Sequence, residues 1–378
     1  MTIALIFASC GTSGSIGIGR YYKKSQAESW SNMGGNAGRT GYRQTDIQPP
    51  LELAWKASVS SAVNEVISVK DSIIYFGTLD GRMYAVWIGD GRTIGRIRYT
   101  HASSAGMSLT GNIAVYGLSN GKNTLIAYHL MERKHIYAKD IGAIETNPLV
   151  VEDYIYVGSQ NKNFYCVNLS DGSVKWKYSL KKPTKSSPSV NTINVFFGAD
   201  DGKVYSLNRY TGQLNWYFQA DGAVQSAPVI DDPYVFVGTV DGNFYALNLS
   251  DGAVKWQFKV EKPLPGSIFA SASTDKGRVY IGSTNGYLYA LNKNDGAVDW
   301  QFKTNGAIST APLVTPKYIF VGSQDKFFYA INSTTGLSEW QYKTNGRIKT
   351  NPARYGDYIF IAAENNNVFA FRPGLSLK

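Results

Sequence analysis

Short runs of consecutive apolar residues, each closed by a small residue, recur along the whole chain. Residues 154–157, 235–237 and 318–321 are apolar at every position instead of alternating. Strands covered on both faces read this way, as sheets packed between neighbouring sheets must. The small residue after each run serves as a counter: Gly77, Gly117, Gly158, Gly198, Gly238, Gly282, Gly322 and Ala362, at steps of 40, 41, 40, 40, 44, 40 and 40. Eight copies with a period near 40, each holding several short strands, predict propeller blades and not a helical solenoid. No long stretch has clean helical periodicity, so the chain is predicted to be all-β.

Residues 235–259 show one copy in full. Asp80-Gly81, Asp201-Gly202, Asp241-Gly242 and Asn285-Gly286 fall between second and third strands, where they predict two-residue hairpins built on positive φ. Further turns follow at Asp171-Gly172, Thr211-Gly212, Asp251-Gly252, Asp295-Gly296 and Thr335-Gly336. Around them a tighter pattern repeats: Ala246, Gly252 and Trp256 return as Ala290, Gly296 and Trp300, as Ala330, Gly336 and Trp340, as Ser206, Gly212 and Trp216, and as Cys166, Gly172 and Trp176. The small first residue leaves room, and the indole can pack against the neighbouring blade. Gly95 and the 135–137 region stand where the first two copies should carry Trp, which predicts less regular packing there. The pattern resembles the tryptophan-docking motif of propellers related to pyrroloquinoline-quinone (PQQ) enzymes. That resemblance and the count together predict an eight-bladed β-propeller of four-stranded antiparallel blades.

The ends of the repeat array predict how the ring closes. Residues 51–57 read as a fourth strand with Trp55 in the docking position and no blade before it, while the eighth copy stops at Phe371 without one. If the first strand completes the last blade, no unpaired edge remains. The propeller then spans 51–371 as one domain. Before it come an apolar start at 1–10, a Gly/Ser-rich tether at 11–29 and a lead-in at 30–50 that is expected to cap the ring; a tail at 372–378 follows.

Composition and chemistry narrow the function. With 38 basic and 28 acidic residues, the 378-residue chain carries a formal net charge of +10. The basic residues are spread over loops, so a solvated surface is the expectation. Phe7-Ala8-Ser9-Cys10 resembles a bacterial lipobox, which implies export, lipidation at Cys10 and no nucleic-acid partner. Cys166, the other cysteine, occupies the small-residue slot and predicts buried packing. His101, His129 and His135 lack metal-ligand spacing, and no phosphate-binding loop, dinucleotide fingerprint or nucleophile elbow is present.

The loops leading into the first strands share a face with the second-to-third turns. Taking one equivalent position from each leading loop gives Asn64, Ser104, Glu145, Lys185, Gln225, Phe269, Ser309 and Lys349, which repeat symmetry predicts to ring the channel mouth. In PQQ dehydrogenases this face binds quinone and calcium through convergent carboxylates, a catalytic Asp and usually a vicinal disulfide. Here the ring offers one Glu, and no Cys-Cys pair exists, so neither catalysis nor a cofactor or metal is expected. The 44-residue step places extra residues in 259–269, where Pro263, Pro265, Leu264 and Ile268 predict a stiff apolar segment suited to docking another chain. Lipobox, tether, lead-in and blades together resemble the BamB family of outer-membrane assembly lipoproteins. The resemblance implies a non-catalytic, lipid-anchored scaffold on the periplasmic side of the outer membrane, binding a protein of the cell envelope in β-barrel assembly. A quinoprotein oxidoreductase and a binder of cell-wall polysaccharide are the alternative readings.

Overall fold

The Asp-Gly pairs build turns one residue longer than expected. In the computed structural model, which describes residues 13–16, 18, 27–99, 101–260 and 266–374, the Gly242 N–H donates to Thr239 O at 3.1 Å and the Thr239 N–H to Asn243 O at 2.8 Å. Only the glycine takes a positive φ, +79°. The connection is therefore a type I turn closed by a left-handed glycine, not a two-residue turn. Gly81, Gly202 and Gly286 repeat the arrangement.

Around these turns the described residues form eight antiparallel sheets and no helix. Blade 5 shows the plan: Val229–Asp231, Tyr234–Gly238, Asn243–Asn248 and Val254–Lys259 pair in chain order from channel to rim. Its two middle strands are almost wholly buried, as the unbroken apolar runs require. Leu51–Ser58 pairs antiparallel with Asn367–Pro373, placing Trp55 opposite Ala370. The N-terminal strand thus completes blade 8 and closes the ring.

Neighbouring blades are joined by the repeated indoles. Trp256 lies against Gly296 of the next blade, where an added Cβ would stand 2.6 Å from the ring, and its Nε1–H donates to Lys293 O at 2.9 Å. Gly296 is required twice over, by this contact and by its φ of +74°. Trp55, Trp176, Trp216 and Trp300 dock on Gly91, Gly212, Gly252 and Gly336 in the same way. Blade 2 keeps the geometry with a different ring: Tyr137 pairs with Ala127 as Trp256 pairs with Ala246, and it lies against Gly172.

Blade 1 has only Gly95 at this position, and the gap is filled from the N-terminus. Ser13–Ser15 adds a fifth strand to the outer edge of Thr93–Arg98. Ile16 and Ile18 are buried between blades 1 and 2 with Tyr75, Tyr116 and Tyr128, and the Ile16 N–H donates to Tyr128 Oη at 3.2 Å. These residues are not the free tether expected for 11–29. A missing indole leaves an apolar seam, and covering it with two isoleucines removes that surface from water.

The lead-in also departs from expectation, because it lies inside the ring instead of capping it. The N–H groups of Val69, Leu109, Val190, Ile230, Thr274 and Val314 donate to the carbonyls of Trp30, Ser31, Ala37, Gly38, Thr40 and Gly41 at 2.8–3.0 Å. These donors stand on the innermost strands of blades 1, 2, 4, 5, 6 and 7, which have no further strand to pair with. Arg39 sits at the centre of this plug, 1% exposed. It donates to Pro188 O at 2.5 Å, Met33 O at 3.2 Å and Asn147 O at 3.3 Å, and burial pulls its guanidinium down to about 9.

Candidate functional site

Leading loops and second-to-third turns meet at one mouth of the channel. There a cavity of about 480 Å³ is lined by all eight symmetry-related positions: Asn64, Ser104, Glu145, Lys185, Gln225, Phe269, Ser309 and Lys349. Each blade delivers the same loop position to the same radius, so a linear period becomes a ring. Met33 of the plug lines the cavity as well, packed with Val66 and Ala227.

A second ring braces the first and was not read from the sequence. It lies two residues past each counting residue, on the second-to-third turns. Ser104 bonds Ser119 at 2.7 Å, Gln324 donates to Ser309 at 3.2 Å, and Lys349 pairs with Glu364 at 2.8 Å. Two links cross between blades: Gln225 to Asp200 at 2.8 Å and Lys185 to Glu145 at 3.4 Å. The signal was the same 40-residue period, displaced from leading loop to turn.

Two carboxylates of the funnel are tuned in opposite directions. Glu65, adjacent to ring residue Asn64, makes no ion pair within 4 Å among the described residues. Its side chain is exposed to solvent at the mouth, and the protein mass around the funnel raises its carboxyl above the usual range, with Lys349 opposing. Desolvation would raise Glu364 too, but hydrogen bonds from Lys349 and Arg347 outweigh it and hold that carboxyl low.

The other predicted positions divide. Ile268 does not face a partner: it is 0% exposed and packs on Gly238. It occupies the interblade slot that Val224, Ile308 and Ile348 fill against Gly198, Gly282 and Gly322, so the period claims it for the core. Phe269, one residue on, is 44% exposed at the rim. Asn64 is 3% exposed, and its amide is committed to Ala105 O at 2.5 Å. Leu264 and Cys10 lie outside the described residues.

The funnel's donors do not fit a calcium–quinone pair. Glu145 is held by Lys185 and Glu364 by Lys349 and Arg347. No three His, Cys, Asp or Glu side chains converge among the described residues. Cys166 is buried, as its slot predicted, and burial pushes its thiol up to about 12.

The profile of a family described as outer membrane protein assembly factor BamB matches residues 129–267 and 256–374, together more than half of the chain. The chain has no match among curated proteins. Among solved structures it is similar to BamB from Moraxella catarrhalis, at 18% identity and a TM-score of 0.73 over 85% of this chain and 99% of that one. It is similar to a quinohemoprotein alcohol dehydrogenase from Pseudomonas putida HK5, at 13% identity and a TM-score of 0.79 over 93% and 81%. The computationally designed Ika8 protein matches at 14% identity and a TM-score of 0.72 over 85% and 99%. At such identities these likenesses describe the fold.

Proposed function

Because the chain belongs to the BamB family of outer-membrane protein assembly factors, we propose that it is a non-catalytic scaffold that holds a protein partner at its funnel face. In this reading the chain is lipidated at Cys10 and works on the periplasmic side of the outer membrane, in the assembly of β-barrel proteins. The observation that carries the reading is the family match across 129–374. The funnel's chemistry supports it: paired charges, amides and two exposed apolar side chains, Leu79 at 51% and Phe269 at 44%, suit a protein surface. Cross-linking in intact cells followed by affinity capture tests it. The native chain should recover an envelope protein of the barrel-assembly apparatus, and the Lys185→Glu/Lys349→Glu variant should lose it. Undiminished recovery by a folded double variant would remove the funnel from the partner's footprint.

A quinoprotein oxidoreductase is the second reading, favoured by the likeness to the quinohemoprotein alcohol dehydrogenase. Purified chain mixed with PQQ and calcium should then hold a chromophore and oxidise an alcohol with a dye as acceptor. Absence of both ends that reading.

A further inference from the structure

The rim of the ring is unevenly charged. The outer strands of blades 1 to 3, Thr93–Arg98, Lys134–Lys139 and Val174–Ser179, carry Arg96, Arg98, Lys134, Lys139, Lys175 and Lys177 and no acid. All six are exposed. Elsewhere on the ring only blade 5, with Lys255 and Lys259 on Val254–Lys259, carries such an excess. The outer strand of blade 4 is uncharged, and those of blades 6 and 7, Val298–Lys303 and Ser338–Lys343, and of blade 8, Leu51–Ser58, each balance one acid against one base. Some of the basic rim is already engaged: Lys134 pairs with Glu132 at 2.7 Å, and Lys175 stands 3.8 Å from the Tyr154 ring centroid. Arg96 and Arg98 have no carboxylate of the described residues within 4 Å.

The N-terminal strand is laid along this same edge, Ser13 opposite Arg98 and Ser15 opposite Arg96. Only Gly11 and Thr12 separate it from Cys10, and three peptide steps reach at most about 11 Å. A lipid on Cys10 would therefore enter the bilayer beside Arg96 and Arg98; this step rests on the anchor reading above. We propose that the rim of blades 1 to 3 lies on an anionic lipid surface, with Arg96, Arg98 and Lys177 meeting headgroup phosphates. The ring then stands on its edge, and the funnel opens sideways along the membrane, within reach of a membrane-bound partner.

The full chain carrying Cys10→Ser, which separates surface contact from the anchor, is floated with phosphatidylglycerol-containing vesicles and with pure phosphatidylcholine vesicles. It should bind the anionic vesicles, leave the neutral ones, and be released as salt is raised. Arg96→Gln/Arg98→Gln should weaken binding about thirtyfold, the usual effect of losing two basic residues at an anionic surface. Lys303→Gln/Lys343→Gln on the far rim should leave it unchanged. Equal binding to both vesicles, or equal losses from the two rims, overturns the proposal. Mass spectrometry of the chain extracted from cell membranes decides the anchor separately: a Cys10 without diacylglycerol sinks that reading and leaves the vesicle result to stand or fall alone.

Discussion

Glu65 and Glu364 face one funnel and make opposite contributions to stability. Glu65 has a folded pKa above its unfolded value, so its charge costs stability above the unfolded pKa, and the cost vanishes below it. Because the side chain is exposed and its charge screened by solvent, Glu65→Gln should raise the melting temperature only slightly at neutral pH, with no gain once the solution is more acidic than about pH 4. Glu364 has a lowered folded pKa, so it contributes stability above the unfolded value that is lost as pH falls through the folded one. Glu364→Gln should destabilise at neutral pH by up to about 1 kcal/mol, the scale of a partly exposed pair, and make no difference in acid. Thermal melts at both pH values check this; shifts of the same sign at neutral pH would contradict the geometry. At this scale the sequence placed Lys349 and Glu145 at the mouth by counting. It could not show that Glu65 makes no ion pair within 4 Å among the described residues while Glu364 holds two cations, because that depends on which blade stands beside each.

Between blades, the unit of cohesion is an indole seated on a glycine of its neighbour. That device was legible, because Gly252 to Trp256 recurs at fixed spacing. Its absence in blade 1 was legible too, whereas its replacement was not. Residues 13–18 have the Gly/Ser content of a linker, and only a gap between folded blades gives Ile16 and Ile18 something to cover. Each buried isoleucine contributes about 1.5–3 kcal/mol. Ile16→Ser/Ile18→Ser should therefore loosen the seam between blades 1 and 2. Amide exchange should quicken in Thr93–Arg98 and Leu125–His129 while the outer strands of blades 4 and 5 keep their protection. Uniform exchange across the ring would deny the N-terminus this local role.

For the whole molecule, the clasp between Leu51–Ser58 and Asn367–Pro373 joins residues more than 300 positions apart. Without it blade 8 would present a bare edge and the ring could open. Ala57→Pro, opposite Val368 and two residues before the Val59 N–H that bonds Asn366 O, falls on the bonded side of that ladder; it should lower the melting temperature of the entire propeller by removing a closing hydrogen bond worth about 1 kcal/mol. It should also admit protease at blade 8; an unchanged melt would mean that the ring does not depend on its clasp. Blade number, strand content, the docking tryptophans, the closing strand and the eight funnel positions were all determined by the sequence alone, because each is a periodic feature and a period survives being wound into a circle. The tertiary structure decided the rest. It laid residues 30–43 against the innermost strands, which leave donors unpaired, buried Ile268 in a slot claimed by the period, and drew Ser13–Ser15, Ile16 and Ile18 into the blade 1 edge and seam. Those placements answer vacancies that exist only once the blades stand side by side.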